Sequence, residues 1–216
     1  MGMALAYSGA RSAFVHEGIV KRLVVEFKSG GQPVLAPLMA GLAGPAFGEL
    51  VAAARAGALA RAGRPAAVVS DGTARGAGRA PGARTASGVV VTWVPSHPAT
   101  RRERGYNQAE MLARALSAAQ PGLVAAGLTH KPVRTKHQKA LGRAGRQSNL
   151  RGAFILDEKA LQALPFPPAA LVLVDDVFTT GATAQEVSSV LVTGAQAPVY
   201  VFTFSRAVSS RGEWHD

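Results

Sequence analysis

Two adjacent carboxylates and a hydroxyl-rich turn follow an apolar segment late in the chain. Residues 171–174 read Leu-Val-Leu-Val, Asp175 and Asp176 come next, and residues 179–183 read Thr-Thr-Gly-Ala-Thr. A fully apolar run of this length indicates a buried strand. Polar groups at the carboxyl end of such a strand lie where doubly wound sheets bind their ligands. The pattern therefore predicts a ligand site at a strand end.

The turn itself has the features of an anion site. Thr183 and Glu186 have the spacing of a capping box, which predicts that the turn leads directly into a helix N-terminus. Free backbone N–H groups and the helix dipole stabilise an anion there. Gly181 allows the backbone to approach that anion closely. A phosphate group fits.

The two carboxylates would repel a phosphate that they faced. They are better placed to contact sugar hydroxyls, or a cation that cancels their charge, so a ribose phosphate with Mg²⁺ fits the pattern. The alternative is a solvated strand end followed by an ordinary turn. The P-loop pattern of nucleotide triphosphatases is absent from the sequence, which disfavours an ordinary ATPase.

The segment VDDVFTTGAT resembles the phosphoribosyl pyrophosphate (PRPP) signature of type I phosphoribosyltransferases, and its surroundings resemble the ComF family. The other blocks of this resemblance, in order, are Lys28 in EFKSGG, then VPSHPATRRERGYNQ, then Thr135, Gln138, Leu141, Arg146, Asn149, Gly152 and Phe154. The resemblance covers most of residues 17–205. ComF proteins often begin with a four-cysteine zinc module, which a chain without cysteine cannot build.

The resemblance implies a role for each matched residue. Asp175 and Asp176 would contact the ribose 2′ and 3′ hydroxyls, and they would be catalytic together with Arg104. They are also the candidate Mg²⁺ ligands, directly or through ribose or water. The implied PRPP and pyrophosphate contacts are Thr179, Thr180, Gly181, Ala182, Thr183, Ser96, His97, Lys136 and Arg146.

Two groups of basic residues leave an alternative open. Arg101, Arg102 and Arg104 would neutralise pyrophosphate, or they form a solvated basic turn. By resemblance, residues 134–151 form a mobile basic lid that closes over PRPP. The alternative is an exposed loop whose charges only keep it soluble.

Strand and helix signals alternate from residue 89 onward, which is typical of α/β proteins. We predict strands at 89–94, 128–133, 153–156, 171–174 and 199–204, a helix capped by Asn107 with Glu110, and a helix that ends at Gly194 as its C′ glycine. We expect Trp93 to pack in the core. His97, His130 and His137 lack acids at metal-ligand spacing, although His97 is a candidate pyrophosphate contact.

The fold class that we predict is α/β, the type I phosphoribosyltransferase fold, with a mostly parallel central sheet flanked by helices and a small N-terminal hood. One domain spans residues 1–216. Within it, residues 1–60 hold the hood and a helix, with acceptor recognition at 14–60. Residues 70–88 form a mobile surface loop rich in Ala, Gly and Arg, and 89–205 form the PRPP-binding core.

Composition bounds the setting of the protein. The absence of cysteine gives no support to an oxidising compartment, and the N-terminal residues lack a signal-peptide core, so we expect a cytoplasmic protein. Residues 33–48 carry no charge but are too short to cross a bilayer comfortably, so we read them as a buried helix and expect no membrane role. The formal charge of +11 favours a polyanionic partner.

Three functions are compatible with the sequence. The first is a PRPP-dependent enzyme that transfers a 5-phosphoribosyl group to an unidentified acceptor such as a nucleobase or an amine, releasing pyrophosphate. The second is a non-catalytic protein of this fold in DNA uptake, competence or DNA processing. The third is a regulator that senses PRPP. With 6% aromatic residues and no nucleic-acid-binding motif, DNA binding would be weak and driven by surface charge.

Overall fold

A computed structural model of the protein describes residues 4–29, 32–62, 88–131 and 152–208. The strands are β1 (Gly9–Val15), β2 (Val89–Trp93), β3 (Val124–Ala125), β4 (Thr129–His130), β5 (Ile155–Leu156), β6 (Ala170–Phe178) and β7 (Val199–Arg206). The helices are α1 (Gly18–Ser29), α2 (Leu35–Ala62), α3 (Pro98–Arg104), α4 (Gln108–Ala118), α5 (Glu158–Gln162) and α6 (Ala182–Ala195).

The central sheet has five strands in the order β1-β7-β6-β2-β3. All four neighbouring pairs in it are parallel. Strands β4 and β5 form a separate antiparallel pair. The α/β architecture, with a parallel sheet flanked by helices, is consistent with the predicted type I phosphoribosyltransferase fold.

Helices cover both faces of the sheet. Successive side chains of a strand point to opposite faces, so each central strand packs against helices on both sides. Val89, Val91, Val172 and Val174 pack on one face with α1, α2 and α4. Val90, Leu171, Leu173, Val199 and Val201 pack on the other face with α6. The central strands are apolar on both sides for this reason, and their burial fixes the register that positions the polar residues beyond them.

Helix α2 is longer than the sequence suggested. It continues through Pro45 to Ala62 and has 28 residues with a mean hydropathy of 1.4 in its most apolar window, enough by length and composition to cross a membrane. The expectation that this apolar segment is too short to span a bilayer was therefore wrong. Met39, Phe47 and Val51 are buried against the sheet and α4. This face makes α2 a core helix of the fold, as predicted.

The N-terminal residues add a strand that the sequence did not predict. Strand β1 pairs in parallel with β7, from Gly9 opposite Tyr200 to Val15 opposite Arg206. Polar side chains at Arg11 and Ser12 conceal the strand in the sequence, since β1 lies at an edge where they can stay partly exposed. Within residues 1–60, β1 and α2 thus belong to the main layers, and the extent of a hood stays a prediction.

The predicted core strands at residues 89–94, 171–174 and 199–204 are confirmed as β2, β6 and β7. Strand β6 extends past the acids to Phe178, so Asp175 and Asp176 lie within it. The prediction of Gly194 as the C′ glycine was wrong. Helix α6 continues past it, and Gln196 takes the left-handed cap with φ 51°. A Cβ at Gly194 would lie 2.4 Å from the Leu156 side chain, so close packing accounts for this glycine.

Several predicted features fall on residues outside the described ranges. They are most of the Ala/Gly/Arg-rich loop at 70–88, the second half of the strand at 128–133, and the basic segment 134–151 with Lys136 and Arg146. The assignment of 1–216 to a single domain stays a prediction.

Candidate functional site

The candidate site lies at the carboxyl edge of the sheet, between β2 and β6. After β2 the chain adds β3 on one side, whereas β6 and β7 follow on the other side. This change of direction leaves a crevice at the carboxyl ends of β2 and β6, where open parallel sheets bind ligands. The residues after β2 and the acids of β6 therefore face a common crevice.

Asp175 and Asp176 point to opposite faces of β6. Asp176 follows Val174 onto the face of α1, α2 and α4, and Asp175 follows Leu173 onto the face of α6. The Asp176 Oδ2 atom lies 3.0 Å from the Lys28 Nζ atom, and the Asp176 side chain is only 11% exposed. Asp175 accepts a hydrogen bond from the Asp176 backbone N–H at 2.9 Å. Among the described residues, Asp176 therefore has an ion-pair partner and Asp175 has none.

The surroundings of Asp175 disfavour its charged form. Burial and, after it, the neighbouring Asp176 charge raise the pKa of Asp175 from 3.8 to about 7, against the opposing effects of the backbone hydrogen bond and Lys28. Near neutral pH this carboxyl group is divided between its protonated and ionised forms. It can therefore donate or accept a hydrogen bond to a sugar hydroxyl.

Two residues of the RGYNQ block contact the end of α1, where Lys28 lies. The Tyr106 hydroxyl donates to the Phe27 carbonyl, and Gln108 Nε2 donates to the Lys28 carbonyl at 3.4 Å. Sequence reasoning placed Lys28 in a family block but gave it no role. A lone lysine at the end of an amphipathic helix gives no signal of its partner, because the contact joins segments that are distant in sequence.

The turn after β6 leads straight into α6, as predicted, but its cap differs. Gly181 is the N-cap residue with φ 74° and has no side-chain cap hydrogen bond. The predicted capping box was therefore wrong, and Glu186 instead accepts from the Gly152 N–H at 2.9 Å. Thr180 Oγ1 lies 3.4 Å from the Ala182 nitrogen, so it caps the first turn only weakly. Backbone donors at this helix start remain available to an anion.

The segment after β2 supplies a second polar surface. The Ser96 Oγ atom is buried and has no hydrogen-bond partner among the described residues. Such an atom is costly to leave unsatisfied, so it is a candidate contact for a ligand oxygen. His97 is the N-cap of α3 and accepts from the Ala99 N–H through Nδ1 at 3.1 Å, so one ring nitrogen already has a structural role.

Asn107 ties the start of α4 to the end of β2. It caps α4 as predicted, since its Oδ1 accepts from the Ala109 N–H, and its Nδ2 donates to the Val94 carbonyl. The predicted partner Glu110 does not complete a capping box. It pairs instead with Arg114 at 3.1 Å and Arg101 at 3.6 Å.

The three arginines after β2 lie on the short helix α3 and are exposed. Arg101 pairs with Glu110, and Arg102 donates to the Pro98 carbonyl at 3.4 Å. The Arg104 side chain makes no hydrogen bond or ion pair within the part of the chain that the structure describes. It is thus the most available of the three, although its contact with pyrophosphate stays a prediction.

The structure confirms the prediction for Trp93 but tests the histidine predictions only in part. Trp93 is 7% exposed and packs in the core as predicted, with the Arg114 guanidinium 4.9 Å from its ring centroid. His130 lies on β4, away from the acids, and His137 lies outside the described residues.

The donor set at the acids fits a magnesium ion that is held mainly by a ligand. Among the described residues, no group of three or more His, Cys, Asp and Glu side chains comes together. Asp176 is paired with Lys28, and Asp175 lies on the opposite face. Mg²⁺ usually keeps several waters and binds through one or two carboxylates plus substrate phosphates, so the acids suit an indirect role.

A cavity of about 170 Å³ lies at the opposite, amino end of the sheet and does not adjoin this crevice. Its lining includes Ala58, Leu59, Arg61, Ala169, Gln196 and Pro198. It therefore contributes nothing to the site described above.

The comparison with known proteins gives one informative relative. No protein-family model matches the chain. Over 117 residues the chain is 36% identical to a protein named Competence protein F from Haemophilus influenzae, and the match covers 53% of this chain and 48% of the relative. The match therefore spans about half the length of the curated relative. It agrees with the resemblance that the sequence blocks predict.

Proposed function

Since its match to Competence protein F supports membership of the ComF family, we propose that this protein binds PRPP and transfers the 5-phosphoribosyl group to an acceptor, releasing pyrophosphate. The observation that carries the proposal is the end of β6. Two acids there precede a turn in which Gly181 is the N-cap of α6, and Thr180 caps the first turn only weakly, at 3.4 Å. A sugar site and a phosphate site are thus adjacent in one continuous segment.

The 5′-phosphate binds the start of α6 in this proposal. Backbone N–H groups of the first turn would donate to its oxygens, and the Thr179, Thr180 and Thr183 hydroxyls would add donors. Gly181 is required because its φ of 74° is unfavourable for other residues and because a Cβ there would lie 2.7 Å from the Phe178 ring. The phosphate would supply the cap that the helix lacks.

The ribose lies over β6, where Asp175 and Asp176 receive hydrogen bonds from its hydroxyls. Lys28 forms an ion pair with Asp176 at 3.0 Å and so holds this carboxylate in place beside the sugar. Asp175 has no cation of its own and adapts its protonation to the ligand. The acids therefore orient the sugar.

The pyrophosphate end lies over the segment after β2. Ser96 Oγ has an unused hydrogen-bonding capacity there, and Arg104 is free to approach from α3. In the transfer step the bond between C1 and the pyrophosphate oxygen breaks, the electron pair leaves with pyrophosphate, and the acceptor forms a new bond to C1. Donors and cations that face the leaving group stabilise its growing charge. When bound to the pyrophosphate oxygens, Mg²⁺ would neutralise part of that charge.

Lys136 and Arg146, in the segment 134–151, are the proposed cations of a closing lid. They lie outside the described residues. Hydrogen exchange tests their role, because a segment that closes on PRPP is expected to exchange more slowly when PRPP and Mg²⁺ are present. Equal exchange with and without PRPP would remove the lid from the proposal.

The direct test is calorimetry with PRPP and Mg²⁺, followed by measurement of pyrophosphate release across a panel of bases and amines. Binding together with acceptor-dependent release is the expected result. Binding without release for any acceptor would favour a PRPP-sensing regulator. Absence of PRPP binding would contradict the proposal as a whole.

A second candidate is a role in competence, through DNA uptake or processing without catalysis. Two observations favour it, the name of the relative and the exposed arginines of α3. DNA would then bind to cations that also face pyrophosphate. Binding should be independent of sequence and steeply lost as salt rises, and PRPP with Mg²⁺ should displace the DNA. Tight or PRPP-indifferent DNA binding in an anisotropy titration would instead require a separate nucleic-acid surface.

A further inference from the structure

A polar row crosses the carboxyl edge of the sheet on the side of β6 away from β2. The register aligns Asp175 with Thr203 of β7 and Thr203 with Ser12 of β1. Ser12 Oγ and Thr203 Oγ1 are hydrogen-bonded at 2.6 Å, and Thr203 is buried. Buried polar side chains are uncommon on strands whose other positions are apolar, so this end of the sheet differs from the core beneath it.

His16 lies just beyond the carboxyl end of β1, on the same side of β6 as this row, and is fixed at two points. Its backbone N–H donates to the Arg206 carbonyl at 2.8 Å, and its Nδ1 atom lies 2.9 Å from Ser205 Oγ. The Ser205 side chain is fully buried. Its hydroxyl therefore orients the imidazole but cannot reach a ligand as a nucleophile. The second ring nitrogen, Nε2, has no hydrogen-bond partner among the described residues.

The charges around His16 come from α1 and β6. Burial is the main cause that lowers the pKa of His16, and Lys28 and Lys21 lower it further while Asp176 opposes them. The imidazole is therefore neutral near pH 7. When Nδ1–H donates to Ser205 Oγ, the Nε2 lone pair is left free to accept a proton.

The order of the strands tells which part of the reaction this histidine faces. The proposed function places pyrophosphate over β2 and the sugar over β6, which is next to β2. A group that attacks C1 from the side opposite the leaving group must approach from the other side of β6, where β7 and β1 lie. His16 is at the carboxyl end of β1.

We infer that His16 is the acceptor-side base, oriented by Ser205, and that it takes the proton from the N–H group of an amine or nucleobase acceptor. This inference rests on the proposed function. As the acceptor nitrogen forms its bond to C1, its N–H proton passes to Nε2 of His16, and the electron pair of the broken C1–O bond leaves with pyrophosphate. Ser205 is a positioning residue, because it acts only through the imidazole.

The test begins with the wild-type protein saturated with PRPP and Mg²⁺. The probes are ammonium, adenine, guanine and uracil, which offer amine and ring N–H groups. The imidazole resonances of His16 and of His130, an exposed histidine on β4, are followed by NMR as each probe is added. At least one probe is expected to shift the His16 resonance while that of His130 stays unchanged, and the Nδ1–H tautomer of His16 is expected throughout.

The variant His16→Asn sharpens the test, because the asparagine amide can still donate to Ser205 where Nδ1 did but offers no group at Nε2. We expect unchanged PRPP affinity and pyrophosphate release slowed by about 100-fold or more with the responding probe. The matched control His130→Gln should leave both unchanged.

The outcomes separate the two proposals. If PRPP does not bind the wild-type protein, the proposed function fails and this inference fails with it. If PRPP binds but no probe shifts the His16 resonance, or if His16→Asn releases pyrophosphate at the wild-type rate, the inference alone is overturned. The wild-type NMR titration decides the question even if the variant does not fold.

Discussion

Asp175 and Asp176 are adjacent in sequence, yet their surroundings are opposite. Asp176 is paired with Lys28 at 3.0 Å on the face of α1, α2 and α4. Asp175 points toward α6, without a cation of its own, and its pKa rises to about 7. The alternation of side chains along a strand places the two carboxylates on opposite faces and gives each different surroundings.

The difference suggests that the two acids have different roles at the sugar. Asp176 is held by its ion pair with Lys28, whereas Asp175, whose pKa is raised to about 7, can gain or lose a proton when a charged ligand binds. Substitutions of either acid, of Lys28 or of the turn that follows β6 test this difference.

The double substitution Asp175→Asn with Asp176→Asn should abolish PRPP binding and leave the protein folded. Asparagine keeps the shape of each side chain but loses hydrogen bonds to a charged group, which contribute about 1.5 to 3 kcal/mol each. Calorimetry should therefore show affinity reduced by at least about 100-fold. Asp157→Asn is a matched control, because Asp157 caps the distant helix α5 and asparagine caps equally well. Unchanged affinity in the double variant would remove the acids from the PRPP site.

Asp175→Asn alone should change how stability depends on pH. The folded protein raises the pKa of Asp175 from 3.8 to about 7, so it binds a proton that the unfolded chain releases. This contribution to stability is complete below the unfolded value and is lost as the pH rises through about 7. Asparagine does not titrate, so the variant should gain about 4 kcal/mol relative to wild type between acid and alkaline pH.

Denaturant unfolding of both proteins across this pH range measures the difference. Parallel stability profiles for wild type and Asp175→Asn would show that the two acids do not differ as described. A gain in stability together with weaker PRPP binding would show that the unpaired acid is kept for function.

Lys28→Met should destabilise the protein by about 1.5 kcal/mol, because it leaves a buried Asp176 without its cation. The effect is smaller than for a fully buried pair, since the Lys28 side chain is 33% exposed. The apparent pKa of Asp175 should also rise, because Lys28 lowers it in the native protein. Lys21→Met, on the exposed side of the same helix, is the control. A double-mutant cycle with Asp176→Asn that gives no coupling would contradict the pairing.

Gly181→Ala should cost about 1 kcal/mol of stability and weaken PRPP binding, because a positive φ is unfavourable for alanine. The control Gly152→Ala separates two causes. Gly152 has a similar φ of 73°, but a Cβ there would meet no atom of the described residues within 4 Å, whereas at Gly181 it would meet the Phe178 ring at 2.7 Å. Thermal unfolding should show a larger loss for Gly181→Ala, and equal losses would mean that the ring moves aside.

The sequence predicted those parts of the molecule whose signals are local. The apolar runs of β2, β6 and β7, the acids and the turn into α6 were all found, because strand hydrophobicity and turn residues act over a few positions. Strand β1 was missed because its polar positions break the apolar alternation. The two-residue strand β3 was missed because it is too short to leave a pattern.

The interactions that complete the site are long-range and left no local signal. Lys28 reaches Asp176, His16 reaches Ser205, and Gly152 is bound by Glu186, in each case across a large stretch of sequence. The capping-box prediction failed because Glu186 has this tertiary partner, and because Gly181 begins the helix before Thr183. Spacing alone does not reveal which of two competing partners a side chain takes.

The pairing of β1 with β7 joins the strand that comes first in the sequence to the strand that comes last. During synthesis on the ribosome, β1 emerges early and must wait for β7, so its edge stays unpaired until most of the chain has been made. Contacts of such high sequence separation form slowly, since a long loop must close before they give any stability. His16 reaches Ser205 only through this closure. A nascent chain that stops before β7 can therefore build much of the α2 and α4 layer, but it cannot orient this histidine.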